Sequence, residues 1–167
     1  MSTTTISKVY PHVFIGNKNA IITREDILQK NNIQIVISAL TEEEYEDYMI
    51  GEQDFENVDW HRLVIDDDRY EEIKEHFSST TKLIANAVNN GVNILVHCAA
   101  GASRSATLVL AYIMTENNMK YDDALKYVRK YRPEVEPNAG FERQLYELED
   151  SIFGTNQHTE SAQSTQS

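Results

Sequence analysis

Residues 97–105 read His97-Cys98-Ala99-Ala100-Gly101-Ala102-Ser103-Arg104-Ser105, and Cys98 is the only cysteine in the chain. One short segment thus brings together a thiol, a run of small residues, a guanidinium and a hydroxyl. Given one cysteine, His just before it, Gly three on, Arg six on and Ser seven on co-occur by chance on the order of 1 in 10^5 times at average usage. The bland alternative is a buried, inert thiol, since free cysteine is commonly a core residue.

The chemistry explains the spacing. A strand ending at His97 and a helix starting near Arg104 leave a loop whose backbone N–H groups can point inward, with the positive end of the helix dipole behind them. That geometry binds a tetrahedral dianion. An unperturbed cysteine has a pKa of about 8.5, which a helix N-terminus and a nearby guanidinium can lower by several units, making a thiolate nucleophile. Ala99, Ala100, Gly101, Ala102 and Ser103 form the expected phosphate-binding set: small residues keep the loop free of bulk, and Gly101 allows a turn that a Cβ would obstruct. Arg104 offers a planar fork for two phosphoryl oxygens, where Lys would present a point charge. Ser105 either hydrogen-bonds the Cys98 sulfur or caps the helix.

Cys98-x5-Arg104 followed by Ser105 resembles the signature loop of the cysteine-based protein tyrosine phosphatase superfamily, and its flanks resemble the dual-specificity branch. The similarity runs from about Tyr10 to Phe153: Tyr10 to Gly16 resembles an opening strand, Ile33 to Leu40 a second core strand, and Arg132 to Leu145, with Pro137-Asn138-Ala139-Gly140-Phe141, the segment before the last helix. The resemblance implies a two-step reaction through a cysteinyl-phosphate on Cys98, with no metal and no cofactor, on a phosphorylated protein substrate.

That reaction needs a proton donor for the leaving group. Asp66, Asp67 and Asp68 follow the apolar run Leu63, Val64, Ile65. Counted back from Phe77, the family's acid matches Asp67, with Asp66 and Asp68 as alternatives; Asp clusters also cap helices and fill turns. Mutual repulsion of three carboxylates favours keeping one protonated near neutral pH, which predicts a bell-shaped rate profile on the acid side of pH 7.

Composition sets the outer bounds. A chain of 167 residues with 41% hydrophobic content is enough for a single α/β domain and too short for two. The expected fold is a central, mostly parallel sheet of about four to five strands flanked by helices, like that of protein tyrosine phosphatases. Its expected limits are a flexible N-terminus at 1–8, a catalytic domain at 9–154 and a disordered polar tail at 155–167, rich in Gln, Ser and Thr. A net charge of −12 argues against nucleic acid and anionic membrane as partners. No apolar run spans a bilayer, no signal peptide precedes the domain, and Ser2 stands where myristoylation needs glycine, so a cytoplasmic or nuclear protein is expected. The five histidines show no zinc-ligand spacing.

Elements are read as strands over Val9–Ile15, Gln34–Leu40, Asp59–Ile65 and Asn93–Val96, with a short capped helix over Thr23–Lys30. Ile73, Phe77, Thr80, Ile84, Ala87 and Val88 share one helical face ending toward Asn90-Gly91. The helix after Arg104 is apolar nearly all round and is expected to be central and buried. Ala124, Leu125, Val128 and Tyr131 mark a helix stopping before Pro133, and Phe141 to Ile152 the last one, with Asn138 as its cap rather than a substrate contact. Thr41 to Asp47 opens like a capping box and reads as a solvated helix face. Arg129, Lys130 and Arg132 read as a solvated helix end, the alternative being a second-phosphate or peptide contact.

Two other functions stay open. One is a phosphate-binding module that does not turn over. The other is a phosphatase for a lipid or an RNA 5′-phosphate, disfavoured by the acidic charge and by a loop without Lys.

Overall fold

The computed structural model describes residues 4–23 and 26–154. Five strands form one sheet: β1 (Ile6–Tyr10), β2 (Val13–Gly16), β3 (Ile33–Leu40), β4 (Asp59–Val64) and β5 (Asn93–His97), in the spatial order β1-β2-β5-β3-β4. Only β1 runs antiparallel to its neighbour. The helices are α1 (Asn19–Ile22), α2 (Ile27–Lys30), α3 (Glu42–Asp47), α4 (Phe77–Asn89), α5 (Arg104–Asn117), α6 (Tyr121–Arg129) and α7 (Ala139–Phe153). Short 3-10 turns cover Glu52–Phe55 and Ile73–His76. The expected single-domain α/β fold is present.

Three local expectations are corrected. The strand read over Val9–Ile15 is a hairpin: Pro11 and His12 turn the chain, with His12 at φ 68°, and β1 folds back on β2. Ile6, Ser7 and Lys8, assigned to a flexible N-terminus, therefore pair with Gly16, Ile15 and Phe14. The helix read over Thr23–Lys30 is broken, because Thr23 is extended (ψ 138°) and ends α1, leaving only Ile27–Lys30 in α2. Residues 24 and 25 of that reading, and the tail at 155–167, lie outside the described residues.

Apolar β-branched strands explain a sheet covered on both faces. On one face, Val9, Ile15, Ile37 and Val96 pack with α4 to α7; on the other, Phe14, Val36, Leu40 and Leu95 pack with α1 to α3 and Phe55. Every residue of α5 from Arg104 to Met114 is buried, as the all-round apolar pattern requires. Each fully buried Leu or Ile there stabilises the fold by about 1.5–3 kcal/mol relative to exposure. The layer therefore holds the start of α5 rigidly under the sheet's edge.

Parallel strands deliver their following segments to one edge. Gly16 of β2 and Ser38 of β3 both register with His97 of β5, and Leu40 of β3 with Val64 of β4. The stretches after β2, β3, β4 and β5 thus converge at the carboxyl end of the sheet, the usual place for a ligand site in such folds.

Candidate active site

Residues 98–103 form the turn between β5 and α5. Gly101 sits at φ +67°, and a Cβ there would come within 2.5 Å of Arg132 Nη2 and 2.7 Å of the Gly16 carbonyl oxygen, so both conformation and space demand glycine. The Gly101 N–H donates to Cys98 Sγ at 3.2 Å, and the Ser105 hydroxyl lies 3.1 Å from the same sulfur. Ser105 is the second residue of α5 and faces the thiol; it does not cap the helix. The N–H groups of Ala99, Ala100, Ala102, Ser103 and Arg104 donate to no acceptor among the described residues. Unpaired amides at the head of a 14-residue helix make an anion cradle. Cys98 itself is only 2% exposed, as an inert core cysteine would also be, and two hydrogen-bonding groups meet its sulfur.

Arg104 is 4% exposed and fully engaged on one side. Nη1 donates to Glu44 Oε2 at 2.6 Å and to the Ile65 carbonyl at 3.0 Å, and Nη2 donates to Glu44 Oε1 at 3.0 Å. Nε is buried with no partner among the described residues. Glu44 belongs to the stretch read as a solvated helix face. The capping box is present, with Glu44 N–H donating to Thr41 Oγ1 and Thr41 N–H to Glu44 Oε2. The same carboxylate turns to the loop instead of to solvent. Burial pushes its pKa up, but the Arg104 and Thr41 hydrogen bonds outweigh that and hold it below the ordinary carboxylate value.

His97, completely buried, lies just before the thiol. Its Nδ1 faces the Cys98 carbonyl at 3.3 Å, which can only accept, so Nδ1 carries the proton and Nε2 accepts from the Ser38 hydroxyl. Ser38 in turn accepts from Trp60 Nε1 at 2.9 Å. Burial lowers the His97 pKa to about 4, against the hydrogen bond to the Cys98 carbonyl and with help from the Arg104 charge. A neutral imidazole thus pins the end of β5.

The three aspartates after β4 have different surroundings. Asp68 Oδ1 accepts the Tyr70 N–H at 2.7 Å and closes a local turn. Asp67 Oδ1 accepts from Asn138 Nδ2 at 3.0 Å, and its charge is felt by Arg104. Asp66 is exposed beside them. Asn138 also caps α7, as expected, its Oδ1 accepting the Phe141 N–H at 2.9 Å. Among the described residues, no group of three His, Cys, Asp or Glu side chains is placed to hold a metal, and no helix is long and apolar enough to cross a membrane.

Arg132 departs from the solvated helix end expected of it. It is completely buried, with Nε donating to the Gly101 carbonyl at 2.8 Å and Nη1 to the Thr4 carbonyl at 2.8 Å and Ser7 Oγ at 2.9 Å. A guanidinium therefore ties the N-terminal strand to the turn of the loop. Arg129, by contrast, is exposed, as expected of a solvated helix end, and its Nε donates to the Val135 carbonyl.

Residues 13–151 match the family described as dual specificity phosphatase, catalytic domain. Mouse dual specificity protein phosphatase 8 is 30% identical over 147 residues, which are 88% of this chain but 21% of that protein, so the chain spans about a fifth of its length. Human dual specificity protein phosphatase 22 is 35% identical over 144 residues, 86% of this chain and 73% of that one. The crystal structure of human tyrosine phosphatase-like serine/threonine/tyrosine-interacting protein superposes with a TM-score of 0.82 at 33% identity, covering 89% of this chain and 98% of that one. The matched span contains strands β2 to β5, the cysteine loop, the aspartate segment and most of the last helix, and the chain belongs to the dual specificity phosphatase catalytic-domain family.

Proposed function

We propose that the chain is a metal-independent protein phosphatase hydrolysing phosphotyrosine and phosphoserine or phosphothreonine, with Cys98 as nucleophile, Arg104 as phosphate clamp, Asp67 as general acid and Ser105 assisting at sulfur. The observation that carries this reading is the cradle: a sulfur bonded by the Gly101 N–H and Ser105, ringed by backbone amides without acceptors. Those amides of Ala99, Ala100, Ala102, Ser103 and Arg104 suit the equatorial oxygens of a phosphoryl group in transfer. The unpartnered Arg104 Nε supplies a further charged donor.

In the first step the Cys98 thiolate attacks phosphorus; the P–S bond forms, the P–O bond to the leaving group breaks, and Asp67 gives that oxygen its proton. In the second, water attacks phosphorus, its proton passes to the Asp67 carboxylate, and the P–S bond breaks. The returning sulfur charge is met by the Ser105 hydroxyl and the Gly101 N–H. The tether from Asn138 supports Asp67 over Asp66 and Asp68, since it joins that carboxylate to a segment bonded to the loop.

The cysteine mechanism calls for no metal or cofactor, and a cytoplasmic or nuclear site of action fits the acidic chain. A relative whose name is phosphatase-like and interacting keeps a binding-only module in view, and a lipid or RNA 5′-phosphate substrate is the other alternative. Hydrolysis of a small aryl phosphate in EDTA separates them: turnover by wild type, loss in Cys98→Ser and a fall of about 10²-fold or more in Asp67→Asn support the proposal. Anion binding without turnover supports the module. Turnover restricted to phosphoinositide or RNA 5′-phosphate, with phosphopeptides untouched, supports the other alternative.

A further inference from the structure

We propose that Asn138 is a positioning residue for Asp67, fixing which carboxyl oxygen carries the transferred proton; this rests on the reading of Asp67 as the general acid. Capping the last helix accounts for one end of the Asn138 amide. The other end has a second use.

The amide cannot turn over. Its Oδ1 accepts the Phe141 N–H at 2.9 Å, so the end facing the aspartate segment is Nδ2, a donor only, 3.0 Å from Asp67 Oδ1. Flipping it would set an amide oxygen against a carboxyl oxygen and an NH2 group against a backbone N–H. An Asp67 oxygen that accepts a committed N–H behaves as the carbonyl oxygen of the neutral acid. The proton is therefore left on Oδ2, and the same bond holds the carboxyl plane.

The segment around Asn138 is itself anchored on both sides. Its backbone N–H donates to Ser103 Oγ at 3.1 Å, and the Glu136 N–H donates to the Ala102 carbonyl at 2.8 Å, both in the cysteine loop. On the other side, Gly140 packs so tightly on the aspartate segment that a Cβ would fall 1.9 Å from the Arg69 carbonyl oxygen. The distance between proton donor and nucleophile is thereby set through one short stretch of chain.

The test compares kcat/KM of wild type, Asn138→Ser and Asn138→Asp on phenyl phosphate, whose leaving group needs a proton, and 2,4-dinitrophenyl phosphate, whose leaving group does not. Both variants keep an oxygen to cap the helix and lose the amide Nδ2–H that reaches Asp67. The expected result is a loss of about 10-fold or more on phenyl phosphate, with the dinitrophenyl ester within about twofold of wild type and no further loss when combined with Asp67→Asn. An equal loss on both esters, or none on either, in both variants overturns the inference. Asp67→Asn run alongside separates the two levels: if it too is insensitive to the leaving group, the assignment of Asp67 fails; if it is sensitive while the Asn138 variants are not, only the role of Asn138 fails.

Discussion

The carboxylate of Glu44 holds both terminal nitrogens of Arg104 across 60 residues of sequence, at 2.6 and 3.0 Å. Glu44 is in turn gripped by the Thr41 amide, so the start of a short acidic helix orients the guanidinium at the head of α5. Bidentate pairing leaves the planar fork one orientation, with Nε on the free side.

Replacing Glu44 by Gln removes the charge-assisted half of that grip while preserving size and the capping bond. The loss of a charged hydrogen bond, about 1.5–3 kcal/mol, predicts a fall in kcat/KM of roughly 10- to 100-fold on an aryl phosphate. Steady-state kinetics check it; an unchanged value would mean that Ile65 and packing alone hold Arg104.

His97 makes stability fall on the acid side. Above pH 6.5 neither state takes a proton at this ring; between about 6.5 and 4 the unfolded chain binds one that the buried imidazole refuses, so stability drops as pH falls. From pH 7 to pH 5 the expected loss is about 2 kcal/mol more in wild type than in His97→Asn, measured by urea unfolding at each pH. Glu44 does not confound that window, since its folded value lies below the usual carboxylate value and its contribution is lost only at lower pH. Parallel pH dependence in the two proteins would contradict the neutral, buried ring.

Arg132→Lys tests the tie between the N-terminal strand and the loop. One ammonium cannot reach the Gly101 carbonyl, the Thr4 carbonyl and Ser7 together as the guanidinium fork does. A loss of about 1–3 kcal/mol in urea unfolding is expected. A change within about 0.5 kcal/mol would place Arg132 among residues that fill space without holding the loop.

The loop is legible because its chemistry is local: the two groups that hydrogen-bond the Cys98 sulfur, the Gly101 N–H and the Ser105 hydroxyl, lie three and seven residues along the chain from it. Helix α5 was equally plain, since an all-round apolar segment has nowhere to go but the core. What escaped was long-range or turned on single backbone angles. Pro11-His12 bends a seemingly continuous strand into a hairpin, which needs only one left-handed residue. Glu44 and Arg132 looked like surface charges because their partners lie 60 and 31 residues away or more. The capping box did show that Glu44 folds back on its own helix start, but not that β3 ends beside β5, which is what aims it at Arg104. Asn138 reads as a cap because that signal is local, whereas its contact with Asp67 spans 71 residues.

The proposed reaction passes through a covalent phosphate on Cys98. The most direct measurement mixes wild type with an aryl phosphate, quenches within the turnover time and locates phosphate on the digested protein by mass spectrometry. The expected result is phosphate on the peptide carrying Cys98, and neither label nor turnover in Cys98→Ser. Turnover persisting in Cys98→Ser, or a turning-over wild type that never carries phosphate on Cys98, would contradict it.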